Sequence, residues 1–172
     1  DILEAQAAAT QDRSERVSLH AEAGRLCEDE LMEPTRAIAH YQACIEAEPA
    51  YQPALAALGE LYARAERWQD LANIFAVQAV ATPEGSARIP LLFKLAELLS
   101  DRLADKDGAI ARLLEILEIA PGYVPALKLI SSLYVQAGRW DELIRMYEAE
   151  LAGQSDTEQA IFLLEKIANL SE

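Results

Sequence analysis

The chain repeats itself at an interval of 72 residues. AIAHYQACIEAEPAYQPAL (37–55) aligns with AIARLLEILEIAPGYVPAL (109–127), and ERWQDLANIFAVQA (66–79) aligns with GRWDELIRMYEAEL (138–151). Each copy of the second segment carries one of the chain's two tryptophans. A short repeated unit cannot bury its apolar face alone, so successive copies must stack on one another. The repeat therefore restricts the fold to an array of similar units.

Each 72-residue repeat divides into two helix pairs of about 36 residues. Apolar residues recur at helical spacing over 53–65, 91–103 and 107–120, and a further helix that follows Gln69 is expected to end near Pro83. No segment shows the apolar–polar alternation that is typical of a strand. The sequence thus predicts an all-helical array.

Composition limits the functions that such an array can have. The 172 residues are 52% hydrophobic, yet every apolar run is short, and none reaches the roughly 20 residues that cross a membrane. The net charge is −14, which repels phosphate backbones and disfavours nucleic-acid binding. A basic or mixed-charge protein or peptide is the expected partner. Arginine exceeds lysine and alanine is abundant, as in GC-rich bacterial genomes.

Residue types that could support catalysis or bind a metal are few, and their spacing does not suit either role. His20 and His40 lack the spacing of a zinc site, and no Gly-rich phosphate loop or nucleophile with a base is present. The acidic run 28–30 lacks the glycine and spacing of a calcium loop. Cys27 and Cys44 are expected to be small buried hydrophobes, although a disulfide is geometrically possible. We therefore expect no enzymatic activity, no metal and no cofactor.

One unit resembles the tetratricopeptide repeat, a helix–turn–helix of about 34 residues. Its residues stand in the order Leu55-x2-Leu58-Gly59-x2-Tyr62, then Leu71-x3-Phe75, then Pro83. The family pattern has Trp where Leu55 stands and Ala where Leu71 stands, so the match is divergent. The resemblance implies an all-α, right-handed α-solenoid of antiparallel helix pairs, with about four full units and a half unit at each end.

The units are expected at 17–50, 51–86, 88–122 and 123–156. Residues 1–12 then correspond to the second helix of a preceding unit, and residues 160–172 to the first helix of a following one. One extra residue is expected in the loop of the first and of the third unit. On this interpretation the chain is a segment of a longer array, and its uncapped ends can self-associate.

Several positions are expected to serve packing alone. Small residues permit two helices of a pair to approach closely, and aromatic residues fill the space beside them: Gly24, Gly59, Ala37, Ala109, Tyr62, Phe75, Tyr134 and Tyr147. Trp68 and Trp140 stand at helix corners, where a ring can fill the junction with the next pair, and we expect truncation of Trp140 to cost about 3 kcal/mol. The alternative is an exposed hot spot for a partner.

The resemblance also implies a concave groove lined by the first helix of each pair. The residues that spacing assigns to it, called here the groove positions, are Ala21, Arg25, Glu28, Asp29, Ala56, Glu60, Arg64, Phe93, Glu97, Ser100, Asp101, Lys128, Ser132, Gln136, Glu165 and Asn169. Only Lys128 and Asn169 suit a clamp for a C-terminal carboxylate, so such a clamp is disfavoured. A ligand bearing Lys or Arg, with an apolar anchor near Ala56 or Phe93, fits better. The alternative is that these residues only face solvent.

Three functions remain open at this point. The first is a non-catalytic interaction scaffold that binds a basic or amphipathic segment in the groove. The second is a structural spacer or assembly element, and the third is a regulatory region of an enzyme whose catalytic domain lies outside this chain. A cytoplasmic location is the default expectation.

Overall fold

A computed structural model describes residues 2–152 and residue 166. Helices separated by short loops make up this part of the chain, and no strand occurs in it. The α-helices are α1 (Ile2–Ala9), α2 (Arg13–Asp29), α3 (Pro34–Ala47), α4 (Gln52–Arg64), α5 (Trp68–Ala81), α6 (Ile89–Asp101), α7 (Lys106–Ile119), α8 (Val124–Ala137) and α9 (Trp140–Ala152), with a 3-10 helix (Ser86–Arg88) before α6. The all-α prediction is confirmed.

Each helix packs mainly on its neighbours along the chain. Every pair of α-helices in extensive contact, from α1 with α2 to α8 with α9, is consecutive in sequence. This arrangement is that of an α-solenoid, in which stability grows by stacking neighbour on neighbour. The division into units and the half units at both ends stay predictions, and residues 160–172 lie outside the described part except for Lys166.

Local sequence signals set where the helices begin. Proline occupies the first or second position of α3, α4, α6 and α8, where its missing N–H costs nothing. Asp12 caps α2 by accepting from the Ser14 N–H at 2.9 Å, and Asp105 caps α7 by accepting from the Gly108 N–H at 2.8 Å. Acidic residues in the first turns of α5 and α9 stabilise those helices, because they lie at the positive ends of the helix dipoles.

The turn inside each helix pair contains one residue in the left-handed region. These residues are Met32 (φ 55°), Glu66 (φ 53°), Ala104 (φ 55°) and Gly138 (φ 66°), which form two pairs at the 72-residue interval. At Glu66 and Gly138 the following N–H donates to a carbonyl five residues back, at 2.9 Å in both turns, as in a Schellman motif. The repeat therefore extends to the backbone conformation of the turns.

The turns at Met32 and Ala104 are one residue longer. The N–H of Glu33 donates to the Cys27 carbonyl at 2.8 Å, and that of Asp105 donates to the Leu99 carbonyl at 2.9 Å, so each bond spans six residues instead of five. The extra residue expected in these two loops is present. Alternation of a longer and a shorter turn is what makes the sequence period two helix pairs.

The interior consists of two apolar clusters that meet at α6. Leu95 and Leu98 of α6 pack with α2 to α5, whereas Leu92 and Ala96 pack with α7, α8 and α9. One helix thus faces both clusters, and the array has no break between its halves. Within the described residues no helix combines the length and apolarity needed to span a bilayer.

The two cysteines are free and buried, as expected. The Cys44 Sγ–H donates to the Val17 carbonyl at 3.4 Å, and burial raises the pKa of this thiol to about 11. A thiol so strongly held in its protonated form is a poor nucleophile. The cysteines therefore serve packing between α2 and α3.

The two helical glycines predicted to permit close approach differ. A Cβ added to Gly24 would lie 2.8 Å from Cε1 of the buried Tyr41, so α2 and α3 do require glycine there. A Cβ added to Gly59 would lie 3.9 Å from both Ile74 and Leu71, which is ordinary contact. At Gly59 a small residue is sufficient and glycine itself is not required, because the side chains of α5 leave room for a methyl group.

The difference predicts opposite effects of alanine at the two glycines. Gly59→Ala should stabilise the fold by about 0.5–1 kcal/mol, because alanine is the better helix former and meets no clash. Gly24→Ala should destabilise it by about 1 kcal/mol or more, because a buried tyrosine ring must move. Urea denaturation measures both free energies, and effects of the same sign would contradict the geometry.

The left-handed turns predict a stabilising glycine. Glu66→Gly should raise the free energy of unfolding by about 0.5–1 kcal/mol, because an L residue is strained at φ 53° and glycine is not. Gly138→Ala is the matched control at the equivalent turn and should lower that free energy. Thermal denaturation followed by circular dichroism reads both changes, and a destabilised Glu66→Gly protein would refute the argument.

Candidate functional site

The groove positions within the described residues all lie on α2, α4, α6 and α8. Exposed among them are Arg25, Asp29, Ala56, Glu60, Arg64, Glu97, Asp101, Lys128, Ser132 and Gln136. Ala21, Glu28, Phe93 and Ser100 are half-buried, and Ala21 packs against the first apolar cluster. Glu165 and Asn169 lie outside the described residues.

The structure brings Glu28 and Arg64 together. The Arg64 guanidinium donates to the Glu28 carboxylate across α2 and α4, and it lies 3.9 Å from the Glu60 carboxylate. Burial, followed by the charge of Glu28, raises the pKa of Tyr41 beside this pair to about 12. Arg64 and Glu28 therefore largely neutralise each other, and neither is freely available to a ligand.

Three other acidic groove positions take part in no ion pair within the described residues. Asp29, Glu97 and Asp101 form no ion pair with any residue of the described part, and Asp101 accepts only the Ser100 hydroxyl at 2.9 Å. Asp29 and Asp101 end α2 and α6, and neither helix has a basic residue in its last turn. Because a helix C-terminus is itself partially negative, negative charge accumulates at these two ends.

The polar residues of α8 differ from those of the other first helices. Lys128 is exposed, and the Gln136 side-chain amide donates to the Ser132 hydroxyl at 3.1 Å. Phe93 on α6 packs edge-on against Tyr123, with ring centroids 6.1 Å apart, and belongs to the second apolar cluster. The apolar anchor expected at Phe93 is thus partly used inside the fold, whereas Ala56 is exposed.

The two tryptophans have different surroundings despite their equivalent positions. Trp68 is half-buried on the first apolar cluster, and the Arg102 guanidinium lies 4.8 Å from its ring centroid. Trp140 is 45% exposed, so within the described part of the chain it is less enclosed than Trp68, and the expected cost of its truncation falls below 3 kcal/mol. The cover over Trp68 comes from the following helix pair, and the residues that follow α9 lie outside the described part.

The aromatic packing positions agree with their expected role. Tyr62 and Tyr134 are buried, and Phe75 and Tyr147 pack at the edges of the two clusters. At each corner the arginine before the tryptophan lies over a tyrosine ring. The Arg67 guanidinium is 4.7 Å from the ring centroid of Tyr62, and that of Arg139 is 5.1 Å from the ring centroid of Tyr134. The same arginine donates from Nε to an acid three residues later, at 2.7 and 2.9 Å. The repeated Arg-Trp sequence thus forms a corner in which the arginine makes both a cation–π contact and an ion pair.

A histidine cluster, formed by Glu4, His20 and His40, was not foreseen. Nδ1 of His20 lies 3.2 Å from Nδ1 of His40, and Nε2 of His40 lies 3.2 Å from the Glu4 carboxylate. His40 is 7% exposed, and Glu4 also accepts from Arg36 at 3.1 Å. No group of three or more His, Cys, Asp or Glu side chains in the described residues is arranged to hold a metal ion.

Among the clefts formed by the described residues, two lie at corresponding repeat positions. The first, of about 510 Å³, lies between the turn at Pro49 and the exposed Val77 and Val80 of α5. The second, of about 760 Å³, lies between the turn at Pro121 and α9. The first is lined by apolar side chains, whereas the lining of the second also includes Glu118, Glu142, Arg145 and Glu150.

The tryptophan environments predict unequal effects of truncation. Trp68→Ala should cost about 2–4 kcal/mol of unfolding free energy, because it leaves a cavity beneath Arg102. Trp140→Ala should cost about 1 kcal/mol or less, because nearly half of that ring is already in water. Paired urea denaturation curves test the difference, and equal losses would show that burial at the two corners is the same.

Comparisons with known proteins agree with the repeat geometry. A family model of the tetratricopeptide repeat matches residues 54–87 and 126–166. A crystal structure of MamA is similar, with a TM-score of 0.51 and 18% identity, over 89% of this chain and 81% of that one. A tetratricopeptide repeat protein from Parabacteroides merdae has a TM-score of 0.51 and 17% identity, over 98% and 67%.

At such identities the structural likeness concerns the fold alone. No curated protein sequence matches the chain. The repeated helix pairs, the left-handed turns between them and the matched family model lead to one conclusion. Residues 54–87 and 126–166 match the tetratricopeptide repeat family, and the chain is a divergent, tetratricopeptide-like helical repeat array.

Proposed function

We propose that this array is a non-catalytic scaffold that binds a Lys- or Arg-bearing segment of a protein partner along its groove positions. Arrays of this family are in general protein-interaction scaffolds. The observation that carries the proposal is the accumulation of unpaired carboxylates at the C-terminal ends of α2 and α6. Asp29 and Asp101 oppose the dipole of their own helices there, and Glu97 stands one turn before Asp101.

These carboxylates are slightly unfavourable for the stability of the array, but they favour binding of a cationic ligand. A carboxylate at a helix C-terminus without a cation nearby is unfavourable by a few tenths of a kcal/mol. A lysine or arginine of a partner would relieve that cost while gaining its own charge-assisted hydrogen bonds. The acids therefore favour a basic or amphipathic segment, and the net charge of −14 disfavours nucleic acid.

The apolar contribution to binding would come from α4. Ala56 is exposed beside Glu60, and its small side chain leaves room for an apolar anchor of the partner. The rim of Phe93 left exposed by Tyr123 offers a further contact. Binding of this kind uses side-chain recognition alone and needs no cofactor or metal.

Charge reversal tests the proposal. The variant Glu60→Lys/Glu97→Lys/Asp101→Lys changes three exposed groove positions, and the control Glu46→Lys/Glu118→Lys/Glu148→Lys makes the same charge change on exposed positions of α3, α7 and α9. Each exposed ion pair contributes roughly 0.2–1 kcal/mol. Three reversals should weaken binding of a basic partner by about tenfold or more, whereas the control should retain it.

The measurement is capture from a cell lysate at low and moderate salt, quantified by mass spectrometry. A protein held by the parent and by the control, lost from the groove variant and weakened by salt, would support the proposal. Equal recovery on all three proteins, or on none, would overturn it in favour of a structural spacer. Circular dichroism confirms that each variant keeps its helices.

A further inference from the structure

The corner between α8 and α9 is joined to the preceding helix pair by an ion pair. Nη1 of Arg139 donates at 2.8 Å to a carboxylate oxygen of Asp107, the second residue of α7. The same guanidinium lies over the ring of Tyr134 and donates from Nε to Glu142. Arg139 therefore makes one contact that crosses from one helix pair to the next, besides the contacts within its own corner.

The equivalent corner between α4 and α5 lacks this crossing contact. The Arg67 guanidinium lies 4.7 Å from the ring centroid of Tyr62 and donates from Nε to Asp70 at 2.7 Å, so it has the same position as the arginine of the later corner. The residue 72 positions before Asp107 is Thr35, the second residue of α3. Within the described part of the chain, Asp70 is the only ion-pair partner of Arg67.

Thr35 can carry the anion that this corner lacks. Its side chain is exposed, and its hydroxyl forms no hydrogen bond with the described residues. A phosphate on Oγ1 has a charge of about −1.5 to −2, and its oxygens lie one bond farther from Cβ than those of an aspartate. Arginine binds such a group through two parallel N–H donors. A phosphate at position 35 can therefore reach the guanidinium that a carboxylate reaches in the later copy.

We propose that Thr35 is a regulatory phosphorylation site whose phosphate pairs with Arg67. Oγ1 of Thr35 attacks the γ-phosphorus of a nucleoside triphosphate held by a protein kinase. The bond from that phosphorus to the nucleoside diphosphate breaks, and the hydroxyl proton passes to a base of the kinase. Phosphorylation then ties α3 to the corner of the following helix pair, as Asp107 ties α7 permanently. The site lies at a helix junction and is independent of the groove positions.

The charged groups near position 35 identify the cation that receives the phosphate. Arg36 pairs with Glu33 at 2.8 Å and with Glu4 of α1 at 3.1 Å. Because these two acids engage Arg36, Arg67 is the cation to which the phosphate binds. The first turn of α3 has no acidic residue, unlike that of α7. Negative charge there is favourable, since a helix N-terminus is partially positive.

Phosphorus NMR tests the ion pair directly. Phosphothreonine is incorporated at position 35 during translation, and the ³¹P shift is followed against pH. The second pKa of a phosphate is about 6. In the parent this pKa should be lower by about 0.3–0.7, the effect of one partly exposed arginine on a dianion. In Arg67→Gln it should return to about 6, whereas Arg139→Gln, the matched change at the later corner, should leave the parent value.

An aspartate at position 35 gives a readout that needs no phosphate. Thr35→Asp copies the later repeat and should raise the melting temperature by about 1–2 °C in the parent but not in Arg67→Gln. Circular dichroism confirms that Arg67→Gln keeps its helices after losing its contact with Tyr62. The ion pair is refuted if the phosphate has the same pKa in the parent and in Arg67→Gln.

A labelling experiment tests whether a kinase modifies the site. The unmodified protein is incubated with ATP and a lysate of the cells that naturally produce it, and phosphorylated peptides are located by mass spectrometry. Phosphate should appear on Thr35, and the corresponding peptide of Thr35→Ala should stay unmodified. Phosphate on other hydroxyls alone, or on none, overturns the assignment.

Discussion

The turn that joins the two helices of each pair is the constraint on which the rest of the structure depends. One residue per turn adopts a left-handed conformation, and the next N–H then satisfies a carbonyl at the end of the first helix. The chain reverses within a few residues, so the second helix must pack against the first. Since this happens in all four described turns, each helix finds its partner next to it in sequence, and apolar burial follows from local geometry.

Neighbour-on-neighbour packing also determines which surface remains for function. The apolar positions of α2, α4, α6 and α8 are used by the two clusters, so polar positions on those helices face away from the core. Where the fold can use such a residue it does: Arg64 joins Glu28 across two helices, and arginines cover the corner tyrosines. The carboxylates at Asp29, Glu97 and Asp101 take no part in such pairs, and for that reason they are the best candidates for binding.

Much of the fold could be predicted because residues with the same packing role recur in both copies of the repeat. The helices after Pro53 and Pro125, the buried Tyr62 and Tyr134, and the longer turns of alternate units were all readable from positions that recur. Spacing did not distinguish residues of one type that have two environments. A Cβ added to Gly24 would clash with Tyr41 whereas one added to Gly59 would make ordinary contact, and Trp68 is half-buried whereas Trp140 is 45% exposed. Spacing gives position along a helix, but it does not give what the adjacent helix presents there.

The histidine cluster could not be predicted from the sequence, because its residues do not recur at the repeat interval. Glu4, His20 and His40 come from three helices, and their counterparts at the next interval are Ala76, Leu92 and Arg112, so no recurrence signals them. Taken alone, the sequence around each histidine is typical of a helix face that is partly apolar. Only the packing of α1, α2 and α3 places two imidazole nitrogens 3.2 Å apart with a carboxylate behind them. In a repeat array, residues that recur at the repeat interval mainly serve packing and stability. Polar residues that do not recur, but lie close together in the fold, can give this particular chain a property of its own.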